Sequence, residues 1–354
     1  MSDRPSGADR MRLFSILTSP WIAQGCYALA RFGLPDLMAA GPRPVAELAA
    51  SAGLDERALH RMLRALTAAG LLQEDTPGCF GLTPVTQPLR SDVFGSSRNT
   101  AIMFGEEVFR SFAEVSYALR TGQPAFEKVY GQPFYDYLGE NPDAARTFGA
   151  AMGRAGVPAV LSACDFEGAA TVVDVGGGDG GLLSRVLRAH PRARGVLLDL
   201  PAAAAQAKER LARAGLDGRV DIVEASFFDE MPAGADLYLL CRVLHNWPDG
   251  EALRLLRRIR AAIAPGGRVI VIEDLVQPAA GQDEGHDPGA PGTATAGLPG
   301  AEIMDLLILL MLSGCDRSES EYTGLLGQAG FGVTAVHPPP QGRSVESAIE
   351  AVPA

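Results

Sequence analysis

Basic charge, paired cysteines, aromatic side chains and long apolar runs are all scarce in this sequence. The 354 residues hold 31 Lys and Arg against 42 Asp and Glu, for a formal net charge of -11. A general nucleic-acid binder rests its affinity on a basic face, so that class is disfavoured. Docking on anionic membranes is disfavoured on the same ground. The acid excess itself reads most simply as a solubility feature. The cysteines are Cys26, Cys79, Cys164, Cys241 and Cys315, an odd and widely spaced set without a C-x-x-C pair. Neither a disulfide framework nor a zinc site is expected, and a reducing cytoplasm fits. The polar start, MSDRPSGADR, leads into no apolar signal core. The longest uncharged aliphatic run, Leu306 to Leu312, is far too short to span a bilayer.

What is present suits a globular protein. The chain is 47% hydrophobic and 21% charged, which excludes wholesale disorder. Its length is that of about two domains. Short helices are expected from residue 12 to about 90. Leu59, Met62, Leu63 and Leu66 fall on one face at helical spacing. Pro77-Gly78 sits between two short apolar segments and predicts a β-hairpin. Helix, turn, helix, hairpin is the layout of a winged helix. Arg57, His60, Arg61 and Arg64 leave a DNA-binding reading open. A packing or dimerisation role fits the acidic whole better.

Residues 99–165 read as helical, with Asn141-Pro142 as a helix start. From 171 onward TVVDV, RGVLLDL, RVDIVEA, DLYLLC and RVIVIEDL alternate with amphipathic stretches. That is the rhythm of a doubly wound α/β sheet. The stretch 279–300, rich in Gly, Ala and Pro and containing His286, predicts a mobile surface loop.

The first of these strands runs into a glycine-rich turn. Gly176, Gly178 and Gly181 satisfy G-x-G-x-x-G, a weak pattern that also fits a dinucleotide. Asp174 precedes the turn and Asp179 lies inside it. Carboxylates there repel a pyrophosphate and suit a cationic ligand. Asp199 ends the second strand, where a carboxylate accepts the hydroxyls of a ribose. A ribose, a cationic end and no phosphate describe S-adenosylmethionine. Asp174 also reads as a turn or helix-capping carboxylate.

The motifs VVDVGGGDGGLL, VLLDLP, ASFFDEMP, LLCRVLHNWPD, APGGRVIVIED and MDLLILLMLSGCDRSESEY follow one another in order. With them the chain resembles the S-adenosylmethionine-dependent O-methyltransferases of the plant caffeic-acid type. It is equally similar to their bacterial counterparts in aromatic polyketide and antibiotic pathways. The resemblance spans about residues 12 to 350. It implies a winged-helix-like dimerisation domain over 12–98 and a helical linker and pocket wall over 99–165. It implies a cofactor-binding catalytic domain over 166–354, with a Rossmann-like seven-stranded sheet, and a homodimer.

The resemblance also assigns residues. Gly176 lies under the methionine part of the cofactor, with Gly178 in the same turn. Asp199 binds the ribose and Leu200 packs near the adenine. Ser226 and Phe227 take the adenine positions, Ser226 where relatives carry an acid. Cys241 stands where relatives have a polar residue near the cofactor. Phe148, Met152, Asn246, Met304 and Asp305 fall on the substrate pocket, Asn246 in place of a common aspartate.

His245 follows the fourth strand, at the cofactor end of the sheet. An imidazole titrates near neutrality and can take the proton of a phenol, whose pKa is about 10. The phenolate then attacks the sulfonium methyl in line, and holding the two together supplies much of the rate. Glu273 matches a family position flanking the histidine. Asp316 falls where plant members have a glutamate, and its shorter side chain reaches the imidazole directly or through a water. The bland reading of His245 is a cap on the helix beginning near Pro248. His60, His190 and His337 show no partner pattern, and no metal is expected. Three rivals stay open. They are a C- or N-methyltransferase on an aromatic acceptor, a winged-helix DNA-binding sensor, and a nicotinamide oxidoreductase.

Overall fold

The computed structural model describes residues 6–154, 156–276, 301–340 and 346–354. The stretch expected as a mobile loop, with His286, lies outside the described residues. The chain divides into two compact units, one ending at Phe109 and one running from Arg110 to Ala354.

The first unit opens with the helix Gly7–Arg31, started by a capping box in which Ser6 and Asp9 satisfy each other's backbone amides. Two further helices, Val45–Ala52 and Glu56–Ala68, follow one another closely. Asp55 caps the second by accepting the Ala58 N–H at 2.7 Å. Strands β1 (Arg43–Pro44), β2 (Leu72–Thr76) and β3 (Cys79–Leu82) form an antiparallel sheet in the order β1-β3-β2. The turn between β2 and β3 is at Pro77-Gly78, so the expected helix, turn, helix, hairpin order is present. Leu59, Leu63 and Leu66 are buried with Leu48 and Phe80, while Arg57, Arg61 and Arg64 face outward. Spacing at three and four residues put the leucines inward.

In the second unit short helices, among them Phe134–Glu140 and Pro142–Arg154, precede the sheet. Its strands are β4 (Thr171–Val175), β5 (Arg194–Asp199), β6 (Val220–Glu224), β7 (Leu237–Cys241), β8 (Arg268–Asp274), β9 (Phe331–His337) and β10 (Glu346–Pro353). Their order is β6-β5-β4-β7-β8-β10-β9. The first five pair in parallel, and β10 runs antiparallel to both β8 and β9. Helices cover both faces, so the central strands read as continuous apolar runs. Along β4, Val173 and Val175 join one core, and Val172 joins the other. The strand order reverses between β4 and β7. Ligands of such sheets bind in the crevice beyond the carboxyl ends of the strands at that reversal.

Candidate active site

The crevice begins at the glycine turn after β4. Gly176 has φ +69, and a Cβ there would lie 2.9 Å from Val243 Cγ2 and 3.8 Å from Phe227 Cε1. Only glycine combines that backbone with that proximity. The close approach joins the turn to the segment after β7 that carries His245. Asp199, at the end of β5, accepts the N–H groups of Gly178 and Leu200, each at 2.7 Å. Burial raises its pKa, and the two amides oppose the rise.

Asp174 is 1% exposed and lies against the underside of Gly177. The Leu183 amide, in the first turn of the helix Gly181–Ala189, favours its ionised form. Asp174 does not cap that helix, whose N-cap is Gly180 without a side-chain cap, and its Oδ2 is buried without a hydrogen-bond partner. Burial first, and the charge of Asp199 second, push its pKa up to about 7. An orphaned carboxylate oxygen calls for a cationic or hydrogen-bonding ligand group. Asp179 does not serve the crevice in the way its sequence position suggests. It pairs with Arg210 at 2.8 Å and accepts the Gly181 N–H at 3.0 Å.

The remaining residues assigned to the cofactor surround this turn. Leu200 is 36% exposed beside Asp199. Ser226 turns its hydroxyl inward, accepting the Phe228 N–H at 3.2 Å. Phe227 meets the Trp247 ring edge-on, with centroids 5.8 Å apart. Burial drives the Cys241 thiol pKa upward, so it stays neutral and acts as a small apolar surface. Together these groups suit a ligand with an adenine, a ribose and a cationic end.

His245 sits in a tight turn, Leu244–Asn246, directly after β7. It does not cap the following helix, Asp249–Ala262, whose N-cap is Pro248 and has no side-chain cap. Its Nδ1 lies 2.8 Å from Asp316 Oδ1 and 3.5 Å from Glu273 Oε2. Asp316 therefore reaches the ring directly, and the water-mediated alternative falls away. Glu273 is also held by the backbone, since Oε1 accepts the N–H groups of Val243 at 3.0 Å and Leu244 at 2.8 Å. Among the described residues His245 Nε2 has no hydrogen-bond partner. Burial disfavours the imidazolium, but Glu273 and Asp316 outweigh it and raise the pKa to about 9. Burial also raises the Glu273 pKa, against the pull of His245. Such a pair of carboxylates fixes the tautomer and strengthens the ring as a base.

The surrounding chain is built to hold this cluster. Asp305, in the helix Ala301–Met311, accepts the Asp316 N–H at 2.8 Å. It thus braces the segment carrying Asp316. Asn246 donates to the Arg242 carbonyl at 3.1 Å, which ties its amide to the backbone. Arg242 has φ +57, a left-handed conformation costing a non-glycine residue about 1–2 kcal/mol. Its guanidinium bonds Glu346, with Nε at 3.0 Å from Oε1.

An aromatic wall lines the same region. Tyr135 stacks on Trp247 at 5.9 Å with an interplanar angle of 17° and meets Phe148 edge-on at 6.4 Å. Burial raises its pKa, and the charges of Asp199 and Glu273 add to the rise. Tyr135 therefore feels the charges of both Asp199 and Glu273. Sequence reasoning missed it, although its stacking partner Trp247 lies within the quoted LLCRVLHNWPD motif. Met152 is exposed, one helical turn from Phe148, and Met304 is half-buried. His60 packs edge-on against Phe80, and His190 lies tilted against Phe166. His337 has a partner that the sequence did not suggest, Glu350 at 2.9 Å. No group of three or more potential metal ligands occurs among the described residues.

Comparison with known proteins adds the family context. A family model described as an O-methyltransferase domain matches residues 112–332, and one for the O-methyltransferase dimerisation domain matches 19–91. The chain is 38% identical over 339 residues to phenazine O-methyltransferase PhzM of Lysobacter antibioticus, covering 95% of each. It is 34% identical to 8-amino-8-demethylriboflavin N,N-dimethyltransferase of Streptomyces davaonensis, covering 95% of this chain and 94% of that one. Among solved structures it is similar to the O-methyltransferase NcsB1 from neocarzinostatin biosynthesis, with a TM-score of 0.81 and 35% identity over the whole of both chains. That structure holds S-adenosylmethionine and 2-hydroxy-5-methyl naphthoic acid.

Proposed function

The chain belongs to the O-methyltransferase family and is a methyltransferase that uses S-adenosylmethionine; from that premise we propose that it methylates a hydroxyl of an aromatic natural product, with His245 as general base. One observation carries the assignment of the base. His245 Nδ1 is held at 2.8 Å by Asp316 beside Glu273, while Nε2 is left without a partner among the described residues.

Asp199, Gly176, Gly178 and Leu200 would hold the adenosine side of the cofactor, with Ser226, Phe227 and Cys241 around it. Asp174 offers its orphaned oxygen to the cationic side. When bound, the cofactor supplies an electrophilic methyl group on a sulfonium. The protein's task is to bring a deprotonated oxygen up to it. Nε2 of His245 accepts the hydroxyl proton, and Glu273 and Asp316 stabilise the imidazolium that forms. Phe148, Met152, Asn246 and Met304 contribute to an acceptor seat completed by Tyr135 and Trp247. Flat rings suit stacking against such a wall.

A homodimer belongs to the same proposal. On the helix Gly7–Arg31, Met11, Leu13, Phe14, Ile16, Leu17 and Trp21 are each more than half exposed. So large an apolar stripe suits a subunit interface. Among the described residues no helix is long and apolar enough to cross a membrane.

The test is labelled-methyl transfer to hydroxynaphthoates, hydroxyphenazines and catechols, with product position read by NMR. Transfer to oxygen that falls about 100-fold or more in His245→Ala is expected. Transfer surviving that substitution removes His245 as the base. The second reading, methylation at nitrogen, is favoured by the N,N-dimethyltransferase among the relatives. Transfer to an aromatic amine in preference to the matching phenol would establish it.

A further inference from the structure

The segment Gly314–Arg317 wraps the His245 turn, and only one of its side chains, Asp316, has a role in the reading above. Arg317 is almost wholly buried. Its Nη1 donates to the Leu244 carbonyl at 3.2 Å, and its Nη2 donates to the Trp247 carbonyl at 2.8 Å. These carbonyls flank His245 and Asn246. The planar fork thus grips both ends of the turn at once, which a single ammonium does poorly. Nε is spent on Asp249 Oδ1 at 2.9 Å, which orients the fork. The opposite polarity is held by Glu273, which takes the Val243 and Leu244 N–H groups. The backbone around His245 is therefore fixed by its donors through Glu273 and by its acceptors through Arg317.

Gly314 supplies the close approach. A Cβ on Gly314 would overlap the His245 carbonyl oxygen and the Trp247 nitrogen. Backbone meets backbone there, with no flexible side chain to yield. The segment itself is anchored at both sides. Asp305 accepts the Asp316 N–H, and Ser318 with Glu321 forms the capping box of the helix Glu319–Gln328. It also pairs in parallel with the chain just beyond β8, Arg317 against Leu275.

We propose that Arg317 and Gly314 are positioning residues, a backbone clamp that sets the register between the His245 ring and Asp316. The clamp rests on the reading of His245 as the base and extends it. Neither residue touches the reacting atoms. Their effect passes through the place of one imidazole, where a misplacement of about 1 Å is costly.

The test follows the His245 ring by NMR titration in the whole protein, its signal assigned by its absence in His245→Ala. The variants are Arg317→Met, Arg317→Lys and Gly314→Ala, each with S-adenosylhomocysteine as the cofactor-site probe. Removing a nearby positive charge would by itself raise the imidazole pKa. Loss of register lowers it, because the ring leaves Asp316. The expected result is a fall of about one unit or more in Arg317→Met and Gly314→Ala, a smaller fall in Arg317→Lys, and unchanged S-adenosylhomocysteine affinity. An unchanged or raised ring pKa in Arg317→Lys and Gly314→Ala overturns the clamp, whether or not Arg317→Met folds. The titration needs no methyl transfer. A ring that responds while transfer survives His245→Ala keeps the clamp and removes the base, so the two failures are distinguishable.

Discussion

Replacing Asp316 by Asn tests the electrostatics of the base most directly. In the wild type, burial works against the imidazolium, but Glu273 and Asp316 lift the His245 pKa to about 9. Activity requires that one proton has left the pair formed by this ring and the acceptor hydroxyl, so kcat/KM should climb with pH toward that value. With a pKa of about 9, only about 1% of the ring is neutral at about pH 7. Asp316→Asn keeps the shape and removes the charge at 2.8 Å. A drop of about 1.5 units is the scale expected from losing one adjacent carboxylate. The neutral fraction at about pH 7 then rises to about 25%, while at about pH 9.5 both proteins are mostly deprotonated. The variant is a weaker base, so its plateau is lower. Its activity relative to wild type should nonetheless fall about 20-fold between about pH 7 and about pH 9.5. The assay is a pair of pH–rate profiles with the same acceptor and saturating cofactor. A ratio independent of pH would refute the reasoning, because it would mean that Asp316 does not tune the titrating group.

Four further outcomes are expected. Asp199→Ala removes the acceptor of two backbone amides, each worth about 1.5–3 kcal/mol when bonded to a charge, so calorimetry should show S-adenosylhomocysteine affinity at least about tenfold weaker. Gly176→Ala meets Val243 and a positive φ together. It should lower both thermal stability and cofactor affinity, by about 1–2 kcal/mol from the backbone alone, and equal melting temperatures would contradict the close approach. The raised His245 pKa contributes stability that is complete below its ordinary value of 6.5 and is lost as pH rises through about 9. That loss is on the order of 3 kcal/mol and should be absent from chemical denaturation of His245→Gln. Leu17→Asp with Trp21→Asp should convert the expected dimer to a monomer in light scattering, and a dimer that persists would move the interface elsewhere.

Much of the site was legible because its chemistry is local in the chain. The glycine turn follows its strand at once, Asp199 ends the next strand, and His245 lies just after β7. Short apolar runs alternating with amphipathic helical stretches placed each of these at the carboxyl end of a parallel sheet. The strands β9 and β10 were less legible, since their antiparallel pairing follows segments with little periodicity. Tyr135 was missed because it comes from a short helix about a hundred residues before His245, and nothing in its local sequence marks an active-site residue. Arg317 stood inside a quoted motif with no role of its own. Its burial and its two carbonyl partners exist only after the chain returns to the His245 turn.

The sequence by itself determined the alternating strands and helices and the glycine turn at the cofactor crevice, because each depends on residue types at short spacing. Only the tertiary structure decided which carboxylate reaches the imidazole, that Asp179 is taken by Arg210, and that Asp174 keeps one oxygen buried without a partner. Those outcomes depend on distances of a few ångströms between segments far apart in the chain. A hydrogen bond or a buried charge is gained or lost over such distances, and no spacing along the sequence encodes them.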